Sequence, residues 1–466
     1  MDICRLLLTP VHLPGRSFGR GVRALRTVGL SAAILACLPA GAWWPGSYVI
    51  SRNDDGVLQH RRRDGTFEKH FAFGFYVRGG GFERREEALD LLIPERMDMV
   101  STGWAVPEVD GRRNYSGFDR IIRRCRDAGT LWFYDMYDGE AFDQQTTDPN
   151  FNRLGFADSF GLGAWIHADD TDILYTPSKA AGNDAAVRDA RPKPHQASAE
   201  VATMITISGT PLEQDGGADR WARVADALAG QWYPINRRSD GPEDGSRRKA
   251  FTTFRRMRHL VASCRRAGTV PIAILQSFSV PEDYPGLNSA MPTPAEAGIM
   301  TQLALAAGVK GLFWYEFQSR ENDRLDRIAP DLWDELKALR HEVADLESIL
   351  LDYAPDALQL PDTQFYRGMW SLNDGDRLVS LVNADPQRDW GDIDVPIGEL
   401  SADARIQKAV RPRRDGDAPN GPGEDFAVTR VEGNGSLRGK TSSLKLPPMS
   451  YRLMYIDVPP YRTTTP

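Results

Sequence analysis

The sequence predicts an α/β fold, a TIM (β/α)8 barrel followed by a small all-β domain. Eight short apolar runs alternate with helical patterns between residues 71 and 317, which is typical of parallel strands joined by crossover helices. After residue 353 the pattern changes to short strands separated by turns. The 466-residue chain therefore divides into an export signal or N-terminal anchor, an N-terminal extension, a barrel and a β domain, which cover residues 1–42, 43–70, 71–352 and 353–466.

Residues 1–42 have the features of an export signal. An arginine-rich stretch precedes the apolar run Val28–Leu38, and Ala40-Gly41-Ala42 offers a cleavage site of small residues. The sequence Ile34-Leu35-Ala36-Cys37 also resembles a lipoprotein cleavage box, so a lipid anchor at Cys37 or a retained N-terminal anchor is the alternative to simple cleavage. The sequence predicts an exported protein that is periplasmic or extracellular.

The charge balance argues against nucleic acid as a partner. The formal net charge is −7, and residues 1–42 contribute +4 of it from five arginines and Asp2, which leaves −11 on the rest of the chain. An acidic surface repels phosphate backbones and anionic lipid headgroups. We therefore expect no nucleic-acid partner and no membrane contact beyond the N-terminal segment. The sequence specifies no oligomeric state.

The eight predicted strands are short and apolar. They cover Phe71–Val77, Met97–Gly103, Leu131–Tyr137, Gly163–Ala168, Ala202–Ser208, Leu228–Ile235, Pro271–Phe278 and Gly311–Phe317. Helical patterns lie between them at Arg84–Met97, Phe118–Ala128, Ala218–Ala227, Arg247–Ala267 and Ala295–Ala307. The connection from Leu174 to Ala199 shows no clear helical pattern, and we expect a long loop over the active face there.

The last helix–strand unit of the barrel is the most informative. Thr293 fits the N-cap position, Pro294 fits the first helical position, and Glu296 lies in the first turn, where the helix dipole favours a carboxylate. Gly308 predicts a left-handed C-cap, and the apolar run after it predicts a strand buried on both faces. Glu316 then stands at the carboxyl end of that strand, where (β/α)8 barrels carry their chemistry.

A helix predicted over Asp331–Leu351 leads from the barrel into the β domain. Asn373-Asp374-Gly375 predicts a hairpin turn early in that domain. Cys125 and Cys264 occupy matching places in two barrel helices, and we expect two unpaired thiols. The strands predicted for the β domain are Thr363–Ser371, Arg377–Asn383, Asp392–Val395, Ser442–Leu446 and Ser450–Val458.

Several segments resemble the glycoside-hydrolase-type β/α barrels of bacterial exported proteins. The resemblance covers roughly Phe71 to the C-terminus and implies a catalytic barrel, a β-sandwich after it and a carbohydrate substrate. Two positions depart from the family pattern. Asp170 stands where related sequences commonly have the glutamate of Asp-Glu-Pro, and Gln276 ends the seventh strand, where retaining glycosidases of this fold have a glutamate. The segments that carry the resemblance are Gly163–Thr171, Ala225–Ile235, Pro271–Phe278 and Pro292–Tyr315.

Glycoside hydrolysis usually needs two carboxylates across the scissile bond, one as a protonated acid and one as a nucleophile or base. We predict Asp170 as the acid, held protonated by burial and by Asp169 beside it, and Glu316 as the nucleophile or base. Asp135 is a further candidate, for catalysis or for holding a substrate hydroxyl, and Asp138 also lies at a strand end. The structural alternatives are a capping or loop role for Asp170 and a salt bridge for Glu316.

Aromatic side chains at the strand ends suit sugar binding, because the apolar faces of sugars stack on aromatic rings. About half of these rings are expected to fill the barrel interior instead. His167 is equally compatible with a hydrogen-bonded position in the core. The predicted substrate-binding residues are Trp104, Tyr137, His167, Asp169, Tyr233, Gln276 and Trp314.

No cofactor and no metal ion are expected. Gly79-Gly80-Gly81 follows the first strand but lacks the dinucleotide fingerprint, and His167, Asp169 and Asp170 have no recognised metal-ligand spacing. The predicted function is the hydrolysis of glycosidic bonds in a polysaccharide or oligosaccharide. The alternative is a non-catalytic carbohydrate-binding or scaffold protein, which the residues at positions 170 and 276 keep open.

Overall fold

The structure is a computed structural model that describes most of the chain after residue 49. The described residues are 50–61, 66–78, 82–102, 108–109, 112–113, 120–121, 124–125, 127–135, 162–166, 171–189, 202–236, 249–280, 289–318, 324–361, 363–373, 375–388, 405–410, 429–430, 437–438 and 448–457.

Eight parallel strands form a closed barrel. Each strand pairs with its successor along the chain, and the eighth closes the ring on the first, with Phe313 opposite Gly74. The predicted (β/α)8 barrel is confirmed. Its strands are β1 (Ala72–Arg78), β2 (Asp98–Thr102), β3 (Trp132–Asp135), β4 (Leu162–Ile166), β5 (Thr203–Ile207), β6 (Ala227–Trp232), β7 (Val270–Gln276) and β8 (Gly311–Gln318).

Helices follow most of the barrel strands. A 3₁₀ turn, Thr210–Glu213, lies after β5. Cys125 and Cys264 are unpaired, as predicted, and both are buried. The helices whose full bounds lie within the described residues are α1 (Phe82–Leu92), α2 (Thr171–Leu174), α3 (Pro177–Asp189), α4 (Asp219–Ala222), α5 (Thr252–Ala267), α6 (Pro294–Ala307), α7 (Leu325–Ile328) and α8 (Pro330–Asp352).

The prediction of a structureless connection from Leu174 to Ala199 is wrong in its first half. That segment contains α3, a helix of 13 residues. Its alanines have high helix propensity, and Pro177 occupies the first helical position, where its missing N–H is not needed. The helix escaped prediction because its buried face is narrow, with Ala180 and Asp184 as its buried residues among those whose burial is described.

The barrel strands alternate between an inner and an outer packing layer. In β1, Ala72 and Tyr76 belong to the cluster inside the barrel, whereas Phe73 and Phe75 belong to the larger cluster between the strands and the helices. Gly74 has no room for a side chain, because a Cβ there would lie 1.8 Å from the carbonyl oxygen of Asp98. The same alternation places Phe133 inside the barrel and Trp132 outside it.

The amino-terminal end of the barrel is covered by a three-stranded antiparallel sheet of residues 50–52, 58–61 and 67–69. Leu58 of this sheet is fully buried within the inner cluster. At the same end, His70 Nε2 lies 2.8 Å from Asp98 Oδ2. Burial lowers the pKa of His70, but the Asp98 carboxylate outweighs it and raises the pKa overall.

Helix α6 is buried all round. Thr293 caps the helix and Gly308 ends it at φ 98°, both as predicted, and Glu296 completes a reciprocal capping box with Thr293. Twelve of its 14 residues are buried, because strands of the C-terminal domain pack on the side turned away from the barrel. A helix that is apolar on every side needs cover of this kind.

The C-terminal domain contains a five-stranded antiparallel sheet, ordered β9-β10-β11-β13-β12. The predicted hairpin turn is confirmed between β10 and β11, where Leu372 N–H donates to Asp376 O at 2.8 Å and Gly375 has φ 94°. The strands predicted at Asp392–Val395 and Ser442–Leu446 lie outside the described residues, whereas the outer strands β9 and β12 were not predicted. The five strands are β9 (Asp356–Gln359), β10 (Phe365–Ser371), β11 (Arg377–Asn383), β12 (Arg405–Val410) and β13 (Ser450–Asp457).

Candidate active site

The carboxyl end of β8 places Glu316 at the mouth of the barrel. Phe313 and the half-buried Tyr315 face the interior, and Glu316 follows, also half-buried. Phe317 is fully buried on the outside, with its ring 5.2 Å from that of Trp333. The peptide bond between Tyr315 and Glu316 is cis. Glu316 is thus the carboxylate that this strand brings to the rim.

Trp314 does not reach the barrel mouth. Its side chain is fully buried in the outer cluster, on the face of β8 opposite to Tyr315. The substrate contact predicted for Trp314 is therefore replaced by a packing role. Tyr315 takes the position at the mouth, which the alternation along the strand explains once the inner face is known.

Three half-buried rings meet at the mouth, and we call Tyr233, Phe278 and Tyr315 the aromatic platform. The ring centroids of Tyr233 and Tyr315 are 5.7 Å apart, and that of Phe278 lies 5.1 Å from Tyr233 and 5.4 Å from Tyr315. Such spacings are those of favourable edge-to-face and tilted aromatic pairs. The platform combines exposed ring surface with a fixed arrangement, which suits stacking against the apolar face of a ligand.

The platform rests on the aromatic core of the barrel. Tyr76 lies beneath it, 5.4 Å from the ring of Tyr315, and Phe313 is the next ring inward, 6.2 Å from Tyr76. Phe133 follows at 4.8 Å from Phe313. Tyr76, Phe313 and Phe133 are fully buried, so these rings fill the barrel interior beneath the platform.

A polar chain inside the barrel fixes one ring of the platform. The hydroxyl of Tyr233 donates to Gln231 Oε1 at 3.2 Å, and Gln231 Nε2 donates to Thr206 Oγ1 at 3.2 Å. Gln231 and Thr206 are buried, so their bonds are made away from bulk water. Tyr233 was predicted to bind substrate. Its polar supports were missed, because they come from β5 and β6 and are brought together by the barrel.

Gln276 lies at the end of β7 with its side chain fully buried. Its Oε1 accepts a hydrogen bond from Ile235 N–H, and its Nε2 lies within hydrogen-bond distance of the carbonyl oxygens of Ile235, Phe278 and Ala290. The amide predicted to bind substrate is thus engaged with the backbone. It holds the segments that carry two of the platform rings.

The ends of β7 and β8 are joined beside Glu316. The backbone N–H of Ser277 donates to Tyr315 O at 2.7 Å, and the Ser277 hydroxyl donates to Glu316 O at 3.4 Å. Ser277 is buried. These bonds fix the backbone that carries both the platform tyrosine and the candidate carboxylate.

Asp172 is a rim carboxylate that sequence reasoning missed. It accepts hydrogen bonds from the backbone N–H of Ser208 at 2.7 Å and from its hydroxyl at 2.6 Å. These bonds fasten α2, which begins directly after Asp170, to the end of β5. The signal in the sequence was the run of three aspartates within four residues, in which the third is committed to a structural contact.

The remaining predicted site residues are not placed by the described structure. Asp135 is the last residue of β3, and its side chain lies outside the description. The roles predicted for these residues, and the pairing of Asp170 with Glu316, stay predictions. Trp104, Tyr137, Asp138, His167, Asp169 and Asp170 lie outside the described residues.

Among the residues that the structure describes, no group of three or more His, Cys, Asp and Glu side chains is arranged to hold a metal ion. Within the same part of the chain, no helix has the length and apolar character needed to cross a bilayer.

Comparisons with solved structures define the class of fold. A glycoside hydrolase matches with a TM-score of 0.56 at 12% identity, over 89% of this chain and 97% of that one. A glycoside hydrolase family 5 protein from Bacteroides vulgatus matches with a TM-score of 0.52 at 13% identity, over 89% and 94% of the two chains. No protein-family model and no curated protein matches the sequence. The chain has the fold of the glycoside-hydrolase-type (β/α)8 barrels with a C-terminal β domain.

Proposed function

We propose that the protein is a glycoside hydrolase that cleaves glycosidic bonds in a polysaccharide or oligosaccharide. The observation that carries the proposal is the half-buried Glu316 at the carboxyl end of β8, directly after a platform ring. Barrels of this fold carry their chemistry at that end. A carboxylate beside half-buried rings matches the hydroxyl groups and apolar faces of a sugar.

In the proposed reaction Glu316 acts at the sugar carbon of the glycosidic bond. It either attacks that carbon or takes a proton from the attacking water, while Asp170 donates a proton to the leaving glycosidic oxygen. Asp135 holds a substrate hydroxyl or assists the pair. The aromatic platform and the predicted residues Trp104, Tyr137, His167 and Asp169 bind the sugar rings.

The test is turnover of a glycan panel by Glu316→Gln and Asp170→Asn variants. We expect kcat to fall by about 100-fold to 10,000-fold in each, since both remove a proton-transfer or nucleophilic group. Glu87→Gln is the matched control, because Glu87 is an exposed glutamate on α1. If the wild type cleaves a glycan and both variants keep its rate, the assigned pair is wrong.

The second candidate function is carbohydrate binding without hydrolysis. The observation that favours it is the uncharged Gln276, whose amide is fully engaged with the backbone at the end of β7. The migration of a protein of this kind would be retarded by glycans in affinity electrophoresis, and the protein would release no reducing ends from any member of the panel. Turnover by the wild type excludes it.

We also propose that the protein is exported, with cleavage after Ala42 or lipidation at Cys37. The support is the apolar run with its arginine flank and the small residues after it. Mass spectrometry of the N-terminus after expression in a bacterium with a periplasm tests this. Trp43 as the first residue indicates cleavage, a lipid mass on Cys37 indicates an anchor, and an intact N-terminus in the cytoplasm contradicts export.

A further inference from the structure

Gln276 stands out among the buried polar groups because its whole amide bonds to backbone at the rim. Nε2 lies 2.9 Å from Ile235 O, 3.2 Å from Phe278 O and 2.8 Å from Ala290 O, and Oε1 accepts from Ile235 N–H at 2.9 Å. Three carbonyl oxygens and one N–H fix which end of the amide is which. The side chain is fully buried.

The partners of Gln276 belong to two different loops. Ile235 lies in the loop after β6, whereas Phe278 and Ala290 lie near the two ends of the loop after β7. These segments also bond to one another, since Ala290 N–H donates to Ile235 O at 2.9 Å and Val280 N–H donates to Ser289 O at 3.0 Å. Gln276 therefore lies at the point where both loops are tied.

Both loops carry a ring of the aromatic platform. Tyr233 lies two residues before Ile235, and Phe278 lies two residues after Gln276, with the ring centroids of the pair 5.1 Å apart. Freeing either loop would separate these rings. Their relative position thus depends on the bonds that Gln276 makes.

We propose that Gln276 is a positioning residue that ties the loops after β6 and β7 and so sets the geometry of the aromatic platform for sugar binding. The sugar part of this inference rests on the proposed function, whereas the tie between the loops stands apart from it. Gln276 itself is enclosed, and its effect on a ligand passes through Tyr233 and Phe278.

The surroundings of Gln276 require an amide. A glutamate of the same shape would turn an oxygen toward three carbonyl oxygens, and only its protonated form could donate a hydrogen bond, a single one. The pKa of a glutamate at position 276 should therefore be raised above its ordinary value. The folded state would then bind a proton that the unfolded state has lost, so the Gln276→Glu protein should lose stability as pH rises above the ordinary range of glutamate.

Hydrogen exchange of the full chain tests the tie directly. In the wild type, the N–H groups of Ile235 and Ala290 should be protected. In Gln276→Met, which keeps the volume and removes the bonds, we expect exchange in segments 233–236 and 289–291 to accelerate about tenfold or more, with α6 unchanged. Gln302→Met is the matched control, because Gln302 is equally buried but lies on α6.

Three outcomes would overturn the tie. The first is that the N–H groups of Ile235 and Ala290 are unprotected in the wild type. The second is that segments 233–236 and 289–291 of Gln276→Met exchange at the wild-type rate. The third is that the thermal midpoint of Gln276→Glu does not fall relative to that of the wild type between pH 5 and pH 8. The wild-type measurement decides the matter even if the variants fail to fold.

Glycan retention separates the two proposals. With a glycan that retards the wild type in affinity electrophoresis, Gln276→Met should be retarded less, whereas Gln302→Met should be retarded as strongly as the wild type. If exchange at the rim accelerates but no glycan of the panel retards the wild type, the proposed function fails and the tie stands. If retention falls without any change in exchange, the positioning role is wrong.

Discussion

Lys310 fastens the amino-terminal end of β8 to the end of α8. Its Nζ donates to the carbonyl oxygens of Leu350, Leu351 and Tyr353, at 2.5, 3.2 and 3.1 Å. Carbonyls at a helix end lack partners within the helix, and a cation is favoured there by the helix dipole. Burial nevertheless lowers the pKa of Lys310 to about 8. The hydrogen bonds of Lys310 therefore stabilise the contact, whereas its burial disfavours the charged form.

Because burial lowers the pKa of Lys310, the contribution of this residue to stability should depend on pH. Because the folded-state pKa is about 8 against an ordinary value of 10.5, the folded protein binds fewer protons between these pH values. The contribution of Lys310 to the free energy of unfolding should therefore rise with pH across that window, by at most about 3 kcal/mol. Below pH 8 both states carry the proton, and the contribution should be level.

The measurement compares wild type with Lys310→Met in urea titrations at pH 7, 9 and 10.5. The wild type should be the more stable at pH 7, because the variant leaves three carbonyls without their donor. The difference between the two proteins should then widen toward pH 10.5. A difference that stays constant or shrinks over this range contradicts the assignment.

At the scale of single residues, the sequence predicted that β8 is buried and aromatic but not which way its side chains point. A run that is apolar on both faces carries no period-two signal, so Trp314 and Tyr315 look alike until the barrel defines an inside. Gln276 was recognised as a polar strand end. Its partners Ile235 and Ala290 are distant in sequence, and their contact follows from the tertiary structure alone.

At the scale of elements, α2 shows how a short helix is held at the rim. Its Asp172 bonds both the backbone and the hydroxyl of Ser208, at 2.7 and 2.6 Å. A helix of four residues has little stability of its own. The Asp172–Ser208 contact is therefore a polar fastening of the segment that begins directly after Asp170.

We expect Asp172→Ala to weaken both stability and turnover. Loss of the two bonds to a carboxylate should cost about 1–3 kcal/mol of the free energy of unfolding. The proposed catalysis should fall further than this loss explains, because a shift of an ångström at a catalytic group is costly. Thermal unfolding and kcat on a cleaved glycan measure the two effects.

Ser178→Ala is the control for this prediction, since Ser178 is an exposed hydroxyl in the next helix. A double-mutant cycle of Asp172→Ala with Ser208→Ala isolates the coupling between the two residues. Additive effects in that cycle would show that the contact does not fasten α2.

The success of prediction differed among elements for a physical reason. Helix α6 was predicted closely because its capping residues, Pro294 and Gly308 are local signals. The hairpin between β10 and β11 was predicted because its turn sequence is also a local signal. Helix α3 was missed because it buries too little surface to impose a period on its sequence. Strand β12 was missed because its pairing with β13 is non-local.

At the scale of the whole molecule, the C-terminal sheet completes the packing of the barrel. It covers α6 on the side turned away from the strands, and the Ser380 hydroxyl donates to Gln302 of α6 at 3.0 Å. On the same side, Gly368 of β10 comes so close to the helix that a Cβ there would lie 2.8 Å from both Cα and Cβ of Ala306. Neither contact could be predicted from sequence, because each joins residues far apart in the chain.

This close approach predicts that the sheet and the barrel unfold together. Gly368→Val would force the sheet away from α6 and expose part of a helix that is apolar all round, so we expect a loss of about 2–3 kcal/mol or more. The wild type should show one calorimetric transition, and in the variant that whole transition should move to lower temperature.

Gly182→Ala is the control: a Cβ at Gly182 in α3 meets nothing within 4 Å, and the change should be neutral or stabilise by up to about 1 kcal/mol. Two separate transitions, with the barrel transition unmoved by Gly368→Val, would mean that α6 needs no cover from the sheet. A joint shift means that the barrel, and with it the rim that holds Glu316 and the aromatic platform, depends on the C-terminal domain for its stability.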